Sequence, residues 1–194
     1  MVPGNNYGVG VKTKVNLRII SGKFGGRTIQ TPDGGGLTHP MSERVRGSLF
    51  NIINSQIQGA EVLDIFAGTG SLGLEALSRG ASSATFIERD RMASKILAEN
   101  IASLGVGSST TAVRIGVSTW IDKNQDRLFN IIFVDPPYDD MQFSAIKRLG
   151  GLLKADGMLV LSYPERMLVP EFDGLEKVDD RNYGTANLAF YSKG

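Results

Sequence analysis

A chain of 194 residues with 41% hydrophobic content can bury one full core but not two independent ones, so one main domain is expected. The absence of cysteine excludes disulfides and thiolate metal sites, and a single histidine, His39, leaves no basis for a zinc centre, so no metal is expected. A net charge of +1 excludes a whole-protein polycation, and no stretch suggests a membrane span or a secretory apolar region, so a cytoplasmic location without membrane contact is expected.

Residues 1–16, rich in Gly and Asn, have no apolar periodicity and are expected to form a flexible arm. Lys12, Lys14, Arg18, Lys23 and Arg27 all precede the first acid, Asp33. Such a run is either solvated surface or a basic arm that meets phosphates. LRII and GRTIQTP read as two short strands around SGKFG, a basic hairpin, with a PDGGG loop after it. Ser42 is a good N-cap, and Val45, Leu49, Ile52, Ile53 and Ile57 recur at helical spacing, which predicts an amphipathic helix over 43–58.

After Gly59 short apolar runs alternate with helical segments: EVLDIF and a helix around LGLEALSRG, SATFIE and a helix from Asp90 to Leu104, TTAVRI, NIIFVD, a helix around Phe143 to Leu153, and GMLVLSY. LEKVDDRNY and ANLAFYS then read as a closing antiparallel hairpin. The pattern predicts a doubly wound α/β domain with a mostly parallel seven-stranded sheet, that hairpin at its edge and the small N-terminal hairpin outside it. The expected organisation is an arm over 1–16, a hairpin-and-helix extension over 17–58 and the main domain over 59–194. Ligands of such sheets bind beyond the carboxyl ends of strands at the switch in strand order, so the loops directly after VLDIF, TFI and IIFV are the candidate binding segments.

In DIFAGTGSLG, Gly68, Gly70 and Gly73 satisfy a G-x-G-x-x-G spacing. That spacing alone also describes dinucleotide-binding turns; its physical content is a tight strand-to-helix turn at which a ligand can touch backbone. Asp64 adds a carboxylate beside the turn, which repels a pyrophosphate and attracts an ammonium, so a zwitterionic amino-acid moiety fits better than a nicotinamide dinucleotide. Glu88 ends the second strand, where an acid accepts from ribose hydroxyls, and Asp90 reads as the next N-cap. After the fourth strand, Asp135-Pro136-Pro137-Tyr138 joins an acid to two residues that lack N–H donors, so the carbonyls here are rigid acceptors outside any ladder.

The glycine turn, Asp64 and Glu88 together resemble the S-adenosylmethionine site of Rossmann-like, class I methyltransferases, and DPPY resembles the motif of enzymes that methylate a planar nitrogen. Read from about Leu17, RIISGKFGGRTI, THPMSERVRGSLFNII, VLDIFAGTGSLGLEALSRGA, FVDPPY and NYGTANLAFY resemble the RsmD family of bacterial 16S ribosomal RNA guanine methyltransferases. The resemblance implies S-adenosylmethionine bound by Asp64, Ala67, Gly68, Thr69, Gly70, Glu88, Arg89, Gly116 and Val117, with Asp135, Pro136, Pro137 and Tyr138 catalytic. It implies further that Arg18, Lys23, Arg27, Ser42, Arg44 and Arg46 face the substrate RNA, with Arg44 and Arg46 near the pocket, Ser42 shaping the helix start, and Arg18, Lys23 and Arg27 on phosphates. The partner so implied is 16S rRNA in an assembling 30S particle, and a monomer is expected because no apolar interface is evident. His39 stands where the family favours Arg, and Gly116 where many members have an acid. Alternatives are an adenine amino-methyltransferase acting on DNA or RNA, a nicotinamide oxidoreductase, and a noncatalytic RNA-binding assembly factor.

Overall fold

A computed structural model of the protein describes residues 17–32, 41–184 and 186–194. The expected arm, the glycines of PDGGG and His39 lie outside the described residues. Strands β1 (Leu17–Arg18) and β2 (Thr28–Ile29) form the small antiparallel hairpin. Helix α1 (Glu43–Ile52) begins at Ser42, whose Oγ accepts from the Val45 N–H at 3.3 Å. The single helix expected over 43–58 is broken: Ile53, at ψ 11°, leaves helical geometry before the short α2 (Asn54–Ile57). Ile52 is exposed, and Arg46 and Phe50 fill the inner face beside Val45, Leu49 and Ile53.

The main sheet contains β3 (Glu61–Ile65), β4 (Ser83–Glu88), β5 (Thr110–Arg114), β6 (Phe129–Val134), β7 (Leu153–Pro164), β8 (Glu176–Asn182) and β9 (Ala186–Ser192). Their order is β5-β4-β3-β6-β7-β9-β8, parallel as far as β7 and antiparallel in the β7-β9-β8 edge, as the doubly wound reading requires. Alternate residues bury opposite faces. Val62, Ile131, Phe133, Val160, Leu188 and Phe190 pack with α1, α3 (Ser71–Ser78) and α4 (Arg91–Leu104). Leu63, Ile65, Ile132, Val134, Leu159 and Leu161 pack with α5 (Val117–Asp122) and α6 (Phe143–Ile146). Helix α5 has no counterpart in the sequence pattern, since six residues carry too little periodicity to register. Beyond Ile146 the expected helix tightens into a 3₁₀ segment, Lys147–Leu152, at the helix-poor Gly150-Gly151 pair.

A buried carboxylate fixes the N-terminal hairpin to this sheet. Glu75, fully buried on α3, accepts from the Ile20 N–H at 2.7 Å, the Ser21 N–H at 3.1 Å and Arg79 Nε at 2.7 Å. Arg46 Nε lies 4.0 Å from it, and Arg46 also donates to the Arg18 carbonyl at 2.5 Å. The hairpin loop seats on the end of α3 so closely that a Cβ at Gly22 would stand 1.9 Å from the Ser78 carbonyl oxygen. Removing a buried charge's partner costs about 3–5 kcal/mol because the remaining charge is left in low dielectric. Glu75→Ala is therefore expected to lower the unfolding free energy by roughly that amount, and Glu75→Gln by less. A loss under about 1 kcal/mol for Glu75→Ala in urea titrations would contradict the clamp, because that is the range of an ordinary surface pair.

Candidate active site

The chain runs outward from β3 through β4 to β5 and returns to place β6 on the other side of β3. The crevice at this reversal lies between the carboxyl ends of β3 and β6, where an open parallel sheet binds its ligand. Ile65 pairs with both Ile87 and Val134, so the residues just beyond those ends, Phe66, Glu88 and Asp135, arrive side by side.

Beyond β3 the backbone turns sharply: Phe66 has φ 61°, Gly68 φ 54° and Gly70 φ 89°. A left-handed aromatic is unusual and marks a strained turn. The three glycines serve different ends. A Cβ at Gly68 would meet nothing within 4 Å, so a ligand can approach its backbone, whereas one at Gly70 would strike Leu97 at 2.5 Å and one at Gly73 would strike Phe86 at 2.3 Å. The latter two are needed for helix packing. Gly70 is also the N-cap of α3 and offers no side chain; Asp64 replaces it, its Oδ2 accepting from the Gly73 N–H at 2.9 Å. One oxygen of Asp64 is thereby committed to the helix. Glu88 spans the turn, accepting from the Gly68 N–H at 2.7 Å and from the Asp90 N–H at 2.7 Å. Asp90 caps α4 as expected, through the Ala93 N–H at 2.8 Å. Buried Asn100 of α4 donates to the Thr69 carbonyl at 3.0 Å and exchanges two hydrogen bonds with the Gln30 backbone, tying the turn to the N-terminal hairpin. The Ala67 N–H donates to the Ile87 carbonyl at 3.1 Å. Gly116 precedes α5, with Val117 buried beneath it, just past the Glu88↔Arg114 pair.

Across the crevice, Pro136 is buried and Tyr138 is half-exposed. The Pro137 carbonyl turns back to accept from the Asp140 N–H at 2.9 Å, and no hydrogen bond reaches the Pro136 carbonyl among the described residues. Tyr138 is anchored by its hydroxyl, 2.8 Å from Ser162 Oγ on β7. Arg89, on the β4 side, reaches over to Asp140 at 2.9 Å and ties the two loops across the crevice. Burial drives the Asp64 carboxyl well above the usual range, with the backbone hydrogen bond from Gly73 opposing and the negative charges of Asp135 and Glu88 adding to it. Burial pushes Asp135 up to about 6, against a hydrogen bond from Ser162.

The basic residues separate. Arg44, Lys23 and Arg18 are exposed, and Arg18 and Arg44 line a cleft of about 410 Å³ with Ile19, Ile20, Gly26 and Glu43. Arg18 Nε lies 3.6 Å from Glu43, and Lys23 Nζ stands 5.4 Å from the Phe24 ring centroid. Arg27 donates to the Ser103 carbonyl at 2.6 Å, at the carboxyl end of α4. Arg46 corrects the expectation of an RNA contact. Its side chain is completely buried against Glu75, burial pulls its pKa down, and it serves the clamp instead. Glu75, Asn100 and Ser162 carry no motif that marks them in the sequence. A lone carboxylate inside the apolar run LGLEALS is a usable signal for Glu75. Asn100 on an amphipathic helix and Ser162 ending an apolar strand have no comparable one.

The family model described as Conserved hypothetical protein 95 matches residues 17–192. The chain belongs to this family, the RsmD family. Within it, the chain is 45% identical over 122 residues to Ribosomal RNA small subunit methyltransferase D of Escherichia coli, a match covering 63% of this chain and 60% of that protein. The chain thus spans less than two thirds of the length of that relative. It is 32% identical over 183 residues to YlbH of Bacillus subtilis, provisionally named an rRNA methyltransferase, covering 91% of this chain and 99% of that one. The solved structure of yhhF from Escherichia coli, provisionally named a methyltransferase, superposes with TM-score 0.82 at 33% identity over 92% of this chain and 98% of that one. A Streptococcus mutans protein provisionally named as S-adenosylmethionine-dependent shares the fold at TM-score 0.73 and 16% identity, over 96% of this chain and 57% of that one. The RsmD-family fold is that of class I methyltransferases.

In this RsmD-family chain, folding raises the Asp135 pKa, so the native state keeps a proton that the unfolded chain has released between about pH 4 and 6. The stability this proton supplies is present below pH 4 and is lost as pH rises through about 6. Asp135→Asn is expected to raise the melting temperature at pH 8 and to lose that advantage at pH 4. Calorimetry across that range checks this, and an equal effect at both ends would contradict it.

Proposed function

We propose that this protein transfers a methyl group from S-adenosylmethionine to the exocyclic amine of a guanine in 16S rRNA, in an assembling small subunit. The observation that carries the reading is the meeting of two sets of acceptors across one crevice. Asp64, Glu88 and the open backbone at Gly68 line the β3–β4 side, and Asp135 and the Pro136 carbonyl line the β6 side. The names of relatives in the family support ribosomal RNA as the substrate class.

The residues fit such a cofactor. The open side of Gly68 admits a ligand against backbone, Asp64 suits the ammonium of an amino-acid moiety, and Glu88 suits a ribose diol. Ala67, Thr69, Gly70, Arg89, Gly116 and Val117 complete the lining. The cofactor would supply an electrophilic methyl on a sulfonium, the neutral thioether being the leaving group and the amine's surplus proton passing to water. An exocyclic amine is a weak nucleophile because its lone pair is delocalised into the ring. Asp135 and the Pro136 carbonyl accept its two N–H bonds, which favours a pyramidal nitrogen with its lone pair turned towards the methyl. Pro136 and Pro137 keep that carbonyl from being absorbed into a ladder. The half-exposed Tyr138 ring offers a stacking face for a base turned out of its helix.

Residues 17–58 form, in this reading, an RNA-facing extension on the methyltransferase domain of residues 59–194. Arg18, Lys23, Arg27 and Arg44 meet phosphates, with Ser42 setting the start of the helix that carries Arg44. The protein acts as a cytoplasmic monomer. The test is incubation with isotope-labelled S-adenosylmethionine and small subunits lacking their guanine methylation, beside duplex DNA, with nucleoside mass spectrometry as the readout. Label is expected in N2-methylguanosine from the rRNA, and Asp135→Ala is expected to slow it by about 10²–10³-fold. Label in methyladenine would overturn the substrate, and an Asp135→Ala protein as fast as the wild type would overturn the mechanism.

A further inference from the structure

One buried polar side chain beside the DPPY motif stands outside the residues assigned above to the cofactor and the base. Ser162 is 3% exposed and sits near the end of β7. Its predecessor Leu161 pairs with Val134, so Ser162 lies beside Asp135, and its partner across β9 is Leu188. Its Oγ is 2.8 Å from the Tyr138 hydroxyl, and from its place beside Asp135 it holds that carboxyl's pKa down against the effect of burial. An apolar residue would suit the other neighbours of this strand, since Val160 and Leu161 are equally buried.

A serine has one proton to donate and lone pairs with which to accept. An ionised carboxylate can only accept, so the arrangement that satisfies all three groups is directional: Tyr138 O–H donates to Ser162, and Ser162 O–H donates to Asp135. We propose that Ser162 is a positioning residue of the methyl-transfer site, orienting the Asp135 carboxylate towards the substrate amine and fixing the Tyr138 ring beside it. The inference rests on the proposed reaction and deepens it, because it assigns the element that keeps the acceptor competent near neutral pH.

The electrostatic surroundings make this donor consequential. Among the described residues, the titratable groups that interact with the Asp135 carboxylate are Asp64 from β3 and Tyr138 from its own loop, while Glu88 from β4 acts on Asp64. Each of these is acidic. Neighbouring β9 contributes the apolar Leu188 and Phe190 on this face. Burial already raises the Asp135 pKa to about 6, and the Ser162 hydrogen bond opposes that rise. Without it, the carboxylate form that accepts the amine N–H bond is lost at higher pH.

The test compares pH–rate profiles of methyl transfer for the wild type, Ser162→Ala and Ser162→Thr. A hydrogen bond to a charged group corresponds to roughly one pH unit or more, so the acid limb of Ser162→Ala is expected to move up by about that amount. Ser162→Thr, which keeps the hydroxyl, is expected to bring the limb back towards the wild type. S-adenosylmethionine affinity at pH 8 reports whether the fold is intact and is expected to be unchanged. A Ser162→Ala profile that superimposes on the wild type would overturn the inference. If the wild-type protein methylates no substrate, the functional reading fails first. The same serine is then tested by following the Asp135 carboxyl carbon by NMR in the unliganded protein, where Ser162→Ala raises its midpoint if the inference holds and leaves it in place if it does not.

Discussion

Three carboxylates brought to adjacent strand ends in a low-dielectric crevice are the constraint around which this molecule is arranged. Asp64, Glu88 and Asp135 meet there because the chain reverses its strand order between β3 and β6. Like charges in such a place oppose folding unless each is met by donors or keeps a proton. The Gly73 N–H meets Asp64, the N–H groups of Gly68 and Asp90 meet Glu88, and Asp135, beside Ser162, keeps a proton up to about pH 6. The strained turn at Phe66 is part of the same arrangement, since it aims the backbone of the glycine loop at Glu88. A crevice lined with acceptors disfavours this fold in isolation and favours a ligand that carries an ammonium, hydroxyls and amine protons.

The N-terminal extension is built into this arrangement through buried polar contacts. Glu75 receives two hairpin N–H groups and the Arg79 guanidinium from one helix, and Asn100 bridges the Gln30 backbone to the glycine turn from the next. The basic hairpin is thus held in register with the glycine turn of the crevice. Fixing it through hydrogen-bonded polar groups gives that register a geometric specificity that apolar packing alone supplies less sharply. Arg46 illustrates the division of labour within α1: two residues from exposed Arg44, it turns inward and becomes part of the clamp.

The doubly wound sheet was legible in the sequence because strand and helix periodicities alternate strongly after Gly59, and the crevice is a consequence of that topology. The residues that meet at the crevice were legible because glycine spacing, strand-end acids and paired prolines are local signals. What escaped depends on distance in sequence. Glu75 meets residues 54 and 55 positions away, and Asn100 meets Gln30 across 70 positions. Arg46 read as an RNA contact near the pocket because its charge was visible and its partner was not. The break at Ile53 and the short α5 escaped for a different reason: one non-helical ψ and one six-residue helix leave too little periodicity to detect.

The most direct test of the central claim is a crystal structure of the protein with S-adenosylhomocysteine. The expected result places the ligand between the 66–70 turn and Glu88, its amino-acid end towards Asp64 and its sulfur facing Asp135 and the Pro136 carbonyl. A ligand bound elsewhere, or a crevice left empty at saturating concentration, would contradict the account.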